Sequence, residues 1–472
     1  MLWNKLLALK QSTQEMGIYG LLMLLQKGAG LMMLPVTTHY LSLAEYGLLE
    51  SLVVIFSLCS LLEISAGALP RFYPDCEDDA GRQRLLSSSV LLSLCYGLVL
   101  ACLTVSLLAH LPFAIFDTLV TAQWCLIAAV ITFSIGLQPL MIWLRIEMRA
   151  VSYFYLVICQ TAAQVLITFW GLKHGWGIDS VLIASACANA LGLAIGLGCC
   201  RAQLKLKLDF FLVKQTLTYQ VCLIGASLSL FVMHGLDRLL LAEWLGSETL
   251  ARYAIMIKVV EATALGFGIV ESWWLPRRFK VLKKQNGPQQ VLQIHQRLLL
   301  IIFSLLLLAM IFAPPLLPWV LPSDYLQGLI WLPLMLLALG FKLATSVTDI
   351  GCYLPNSPVW LPRINALAAV FALVLYYCLI PRWGVWGLVV ASNLVFAARF
   401  ILFTWVSLRL QPLAYPLARL LFSFIPPLVV FVLLPFVAGS LWFYLLPHLA
   451  LFWLFVASTR LISLRARTLV CD

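Results

Sequence analysis

The residues of this chain whose type and position could do chemistry are the ionisable ones set inside long apolar runs. Lys27 sits in the first run, and Glu50 and Glu63 sit in the second. Asp237, Arg238 and Glu243 lie in the seventh, and Lys258, Glu261 and Glu271 in the eighth. Lys342 and Asp349 lie in the tenth, and Arg399 in the twelfth. A charge placed in hydrocarbon is costly unless it faces a cavity or a partner. Depth separates these groups. Glu243, Glu271 and Asp349 fall near run ends, where solvation is expected. Lys27, Lys342 and Arg399 fall near the middle, where a cation needs a cavity or a buried acid.

Asp237 precedes the turn between the seventh and eighth runs by about as many residues as Lys258 follows it. The two can therefore meet at one depth. Lys258 and Glu261, at i and i+3, share a helix face. Two readings stay open. Glu63, Asp237 and Glu261 are acids for ion pairing or coupling, and one reading makes the hairpin charges a structural network. The other makes them paired cations that an anionic ligand recruits. No nucleophile–base set, metal-ligand spacing or phosphate loop appears, and the loops are too short for a catalytic domain. No metal or cofactor is expected, and an enzyme is disfavoured.

The elements that must hold these charges follow from composition. The 472 residues are 62% hydrophobic and 11% charged, against about 25% charged in soluble domains. Such a chain reads as a polytopic bundle of membrane-spanning helices. A membrane barrel would show short alternating segments, whereas these runs are long and continuous. The net charge of +11 lies between the runs, so it reads as an orientation signal rather than a nucleic-acid footprint. The 13 cysteines fall mostly inside apolar runs, without a CxxC, and read as small hydrophobes. The opening "MLWNKLLALKQSTQE" has no small-residue cleavage site and is expected to be a short interfacial helix.

At about twenty apolar residues per span, helices are expected near 16–41, 45–69, 85–111, 118–144, 151–173, 178–200, 214–244, 251–274, 295–319, 327–350, 359–380, 385–409, 416–437 and 440–463. Of 31 Lys and Arg, 23 fall in alternate loops and termini, and only Lys173, Arg252 and Arg382 fall on the opposite side. Basic residues concentrate in short cytoplasmic loops, so both termini are expected in the cytoplasm. The other five are the intramembrane bases Lys27, Arg238, Lys258, Lys342 and Arg399.

A repeat runs through this pattern. "LPRFY" follows the second run and "LPRRF" the eighth, with Pro70 and Pro276 206 residues apart. "YLSLAEYGLLESL" resembles "WLGSETLARYAIMIKV", aligning Tyr46 with Tyr253. "GWGIDSVLIAS" matches "RWGVWGLVVAS" at an offset of 207. Six spans separate the copies, so both halves have one orientation and a substrate path is expected between them. The expected fold class is an all-α integral membrane protein of about 14 transmembrane helices. It comprises two six-helix halves in parallel repeat, residues 1–205 and 206–410, plus two additional helices in 411–472. At the same offset Lys27 aligns with His234. Pro35 permits a bend in the first helix, and Gly192-x-x-x-Gly196 favours close packing of the sixth.

The two halves, "YLSLAEYG", "LPRFY" and "LDRLLLAEWLGSETLARYA" together resemble the multidrug/oligosaccharidyl-lipid/polysaccharide (MOP) exporter superfamily, and within it the O-antigen-type polysaccharide flippases. The resemblance covers about residues 15–410, and its extra helix pair is similar to that of the lipid II flippases. It implies alternating-access movement of a polyprenyl-diphosphate-linked oligosaccharide from inner to outer leaflet, for cell-surface polysaccharide synthesis. On that reading Lys27, Arg238, Lys258, Lys342 and Arg399 supply a positive cavity for the diphosphate. Arg71, Arg145 and Arg149 gather the headgroup at the cytoplasmic entrance, or serve only as topology determinants. The implied partners are the lipid-linked oligosaccharide, membrane lipids and polysaccharide polymerase machinery, with no nucleic acid, and the implied location is the cell inner (plasma) membrane. Two rivals stay open: a cation-coupled multidrug exporter, whose cavity would carry acids in excess, and a non-transporting scaffold of a glycan-synthesis complex.

Overall fold

In the computed structural model the described residues are 28–64, 66–76, 78–110, 114–204, 227–275, 277–354 and 359–413, with residues 214, 217, 224 and 225. Lys27 and the expected spans 416–437 and 440–463 lie outside the described residues. Every long element among the described residues is an α-helix, and ten helices are long and apolar enough to cross a membrane. Helix is the form that satisfies each backbone donor and acceptor within one segment, which hydrocarbon demands.

The helices follow the apolar runs. They are α1 (28–40), α2 (Leu43–Leu61), α3 (Leu69–Phe72), α4 (Asp79–His110), α5 (Thr121–Ile146), α6 (Ala150–Lys173) and α7 (Ile178–Cys200). After helical residues 227–234 come α8 (Leu236–Leu245), α9 (Ser247–Trp274), α10 (Arg278–Leu282), α11 (Gly287–Val320), α12 (Leu332–Thr348), α13 (Trp360–Trp383) and α14 (Val385–Leu410). The turn into α2 is fixed by a capping box. Glu45 N–H donates to Ser42 Oγ at 3.2 Å, and Ser42 N–H donates to Glu45 Oε2 at 2.9 Å. That reciprocal pair satisfies two donors that a helix start leaves open, which gives the "SLAE" of the motif a structural role. Gly246, at φ +85°, makes the corresponding tight turn between α8 and α9.

One expected span is wrong in detail. The run 45–69 is not a single helix: α2 stops at Leu61, and a short 3₁₀ turn, Ala66–Ala68, precedes α3. Glu63 is the cause. Its carboxylate turns inward, 5% exposed, and accepts from Ala66 N–H at 2.7 Å and Ser93 Oγ at 3.0 Å. A carboxylate that caps the following turn ends the preceding helix.

The chain divides into two compact units, Met1–Phe231 with Gly246–Glu248, and Val232–Leu245 with Thr249–Asp472. In the first, α4 packs on α5, and α7 packs on both α5 and α6. Its core gathers Leu86, Leu140, Trp143, Leu144 and Leu156. Small residues set that packing. A Cβ added at Gly192 would lie 3.0 Å from Leu137 Cδ2, and one at Gly196 3.0 Å from Leu140 Cδ1. In the second unit α14 packs on α12 and α13, and α11 packs on α12.

The glycines of the matching segments carry the same backbone conformation. Gly177 caps α7 at φ 53°, ψ −136°, and Gly384 caps α14 at φ 58°, ψ −135°. Side-chain-bearing residues avoid this region. Gly384→Ala is expected to cost roughly 1–3 kcal/mol through backbone strain, read as a lower unfolding temperature in detergent. Gly198→Ala is the control. Gly198 lies within α7 with open space around an added Cβ, so that change is expected to be neutral or stabilising.

Candidate functional site

The second unit contains a cavity of about 190 Å³. Its wall is built from the start of α8 and the residues just before it, one face of α9, the middle of α12, and α14. From α9 the wall takes Tyr253, Ile257, Val260, Glu261 and Ala264, which recur at helical spacing on one face. The polar groups are His234, Asp237, Arg238, Tyr253, Glu261, Lys342 and Ser392. This brings four of the sequence-predicted residues together: Arg238, Lys342, Asp237 and Glu261.

Their pairing decides what the cavity can bind. Arg238 Nη2 lies 3.5 Å from Glu261 Oε1, joining α8 to α9. Asp237 is 5% exposed and accepts from Tyr253 Oη at 3.3 Å. Thus Tyr253, not Lys258, is the hydrogen-bond partner found for Asp237. The signal was available, since Asp237 and Tyr253 flank the Gly246 turn at similar distances. The His234 ring stacks on Phe396 with centroids 5.0 Å apart.

Lys342 differs from the others. Its side chain is accessible, it lines the cavity, and it lies within Coulombic reach of Glu261, Arg399 and Arg238. Among the described residues no hydrogen bond or ion pair holds its ammonium.

Two predicted cations are placed differently. Lys258 is half-buried on α9 and does not line the cavity. Arg399, expected to face a cavity or a buried acid, does not line the cavity and lies within Coulombic reach of the buried Asp349; its Nε donates to Asn365 Oδ1 at 3.0 Å, and its guanidinium lies 4.8 Å from the Phe403 ring centroid. Glu243 also departs from expectation, since its Oε2 is shielded rather than solvated. Glu63, in the first unit, is the turn-capping carboxylate described above.

The largest departure is at Asp349, expected to be solvated, and at Arg278, expected as a cytoplasmic loop base. Both are buried, at 8% and 4% exposure. Arg278 Nη1 donates to Asp349 Oδ1 at 2.8 Å, and its guanidinium lies 4.5 Å from the Tyr353 ring centroid. The pair clamps α10 to the end of α12. In the first unit the segment after "LPR" is held by hydrogen bonds through a tyrosine instead. Tyr73 Oη donates to Glu147 Oε1 at 2.7 Å and accepts from Trp143 Nε1 at 3.0 Å. Burial, and secondarily the hydrogen bond to Glu147, push the Tyr73 phenol up to about 12. Arg71, Arg145 and Arg149 are exposed around this corner. Arg71 pairs with Asp75, while Arg145 and Arg149 lie over Tyr153 and Trp143.

A family model described as "Polysaccharide biosynthesis protein" matches residues 38–329. No curated protein matches the sequence significantly. Several solved structures share the fold. One is the lipid II flippase MurJ in an inward closed conformation, at TM-score 0.66 and 12% identity, over 93% of this chain and 98% of that one. Another is an inward-facing multidrug resistance MATE family transporter of the MOP superfamily, at 0.56 and 14%, over 84% and 95%. A third is the Vibrio cholerae MATE transporter VcmN in the bent form, at 0.51 and 16%, over 84% and 97%.

The buried pair yields a stability prediction. Arg278→Met leaves Asp349 as an uncompensated buried acid and is expected to cost about 3–5 kcal/mol. Adding Asp349→Leu is expected to restore most of that loss, as read from unfolding temperatures of the two variants in detergent.

Proposed function

The chain belongs to the polysaccharide biosynthesis protein family, and from that premise we propose that it is a transporter of a polyprenyl-diphosphate-linked oligosaccharide. It moves this substrate from the inner to the outer leaflet of the cell inner membrane by alternating access. Its fold is that of the MOP exporter superfamily, and it is a multi-pass membrane protein. The proposed architecture is the 14-span, two-half arrangement, with both termini in the cytoplasm. MurJ, by its name a flippase of lipid II, supports a lipid-linked substrate.

The observation that carries the reading is Lys342. An ammonium inside a membrane-embedded cavity, with no hydrogen bond or ion pair among the described residues, is a costly arrangement. A diphosphate entering the cavity supplies the missing counter-charge and charge-assisted hydrogen bonds. Arg238 adds a second cation that can exchange Glu261 for phosphate. Arg399 acts from behind the wall through its field, and Lys258 and Lys27 complete the proposed set. Arg71, Arg145 and Arg149 are the proposed entrance. Each anionic charge carried outward gains about 2.3 kcal/mol per 100 mV of inside-negative potential.

A multidrug exporter for cationic compounds would need acids free to receive them. Asp237 and Glu261 are instead met by Tyr253 and Arg238. A scaffold without transport gives the cavity cations no role.

Translocation of a defined polyprenyl-diphosphate-linked sugar in reconstituted vesicles tests the proposal. The parent is expected to transport it. Lys342→Ala is expected to slow transport about tenfold or more, the loss of a hydrogen bond to a charged group worth about 1.5–3 kcal/mol. Lys342→Arg should retain a substantial part. An inactive parent, or an unaffected Lys342→Ala, removes the proposal.

A further inference from the structure

The first unit holds a second cavity, of about 350 Å³, whose chemistry is the opposite of the first. Among the described residues that line it, none is ionisable. Its polar groups are the amides of Gln160 and Gln164 and the hydroxyls of Thr37, Thr161 and Thr168. Residues 160, 161, 164, 165 and 168 form one face of α6 at helical spacing. Space comes from Ala29, Gly30 and Ala188, and a Cβ added at Gly30 would meet nothing within 4 Å.

The hydrogen bonds fix which polar atoms remain available. Gln160 Nε2 donates to Asn189 Oδ1 at 2.9 Å, and Gln164 Nε2 donates to Ser185 Oγ at 3.2 Å. Both amides are thereby anchored on α7 through their donor ends. Their Oε1 atoms accept from no group among the described residues. Thr161 is a further case. Hydroxyls on membrane helices fold back onto the i−4 carbonyl, as Thr37, Thr132 and Ser185 do here. Thr161 Oγ1 has no hydrogen-bond partner among the described residues. The cavity thus offers two carbonyl acceptors, the second N–H of Gln160, and the hydroxyls of Thr161 and Thr168, the latter accepting from Gln164 Nε2 at 3.5 Å. Such an uncharged set matches a ligand rich in hydroxyls, which both donate and accept.

We propose that this cavity is a subsite for the hydroxyl groups of the glycan, uncharged and separate in chemistry from the cationic cavity of the second unit. The inference rests on the reading of the substrate as a lipid-linked sugar. It assigns discrimination between glycans to α6, because a site built to hydrogen-bond hydroxyls penalises a ligand lacking them.

Binding to the full-length purified protein tests it with two probes, polyprenyl diphosphate and polyprenyl-diphosphate-linked N-acetylglucosamine. The parent is expected to prefer the glycosylated probe about tenfold, the worth of one or two hydrogen bonds. Gln160→Leu with Gln164→Leu, and separately Gly30→Leu, which fills the space while keeping both amides in the sequence, should erase that preference. Both should leave the sugar-free probe unchanged. Lys342→Ala should weaken both probes alike. If both cavity variants keep the parent's preference while Lys342→Ala weakens both probes, the subsite is wrong and the transporter reading stands. A parent that binds neither probe overturns both.

Discussion

The constraint on which this molecule depends is that a charge inside hydrocarbon must be answered. Water cannot do it there, so each ionisable side chain in a span finds a partner, caps a turn, or opens onto a cavity. The structure shows all three solutions. Arg278 and Asp349 answer each other in a buried pair. Glu63 answers backbone and hydroxyl donors and breaks a helix in doing so. Lys342 opens onto a cavity with no hydrogen bond or ion pair among the described residues. The first two are structural. The third leaves an interaction for a ligand to complete.

Related sequence segments carry different chemistry in the two units. Gly177 and Gly384 repeat one unusual backbone conformation, so the hairpins they start are built alike. The segments after "LPR" are both tied down, by a tyrosine, a tryptophan and a carboxylate in one unit and by a buried ion pair in the other. The cavities diverge as well: amides and hydroxyls in the first unit, cations and acids in the second. Similar helical packing thus carries two unlike linings.

The helices were legible because span length is dictated by bilayer thickness: α5 to α7 fall within three residues of the expected spans, while α4 begins six residues early. Gly177 and Gly384 fall at matching places in the two similar segments, but their shared backbone conformation appears only in the structure. Lys342 was legible as a mid-span cation. What escaped depended on contacts remote in sequence. Asp349 reads as solvated by its place near a run end, but Arg278, 71 residues earlier, buries it. The Arg399 partner Asn365, on the neighbouring helix, is a neutral amide that no charge pattern marks. The break at Glu63 needs Ser93. The amide cavity of α6 carries no charge to draw notice, and its uncommitted acceptors appear only once the α7 partners are placed.

The central claim is that the Lys342 ammonium is the counter-charge for a diphosphate. A structure of the full chain with a polyprenyl-diphosphate-linked sugar bound tests it most directly. The account predicts a phosphate oxygen at hydrogen-bond distance from Lys342 Nζ, about 2.7–2.9 Å. A diphosphate resolved elsewhere, with the second-unit cavity unengaged, would contradict it.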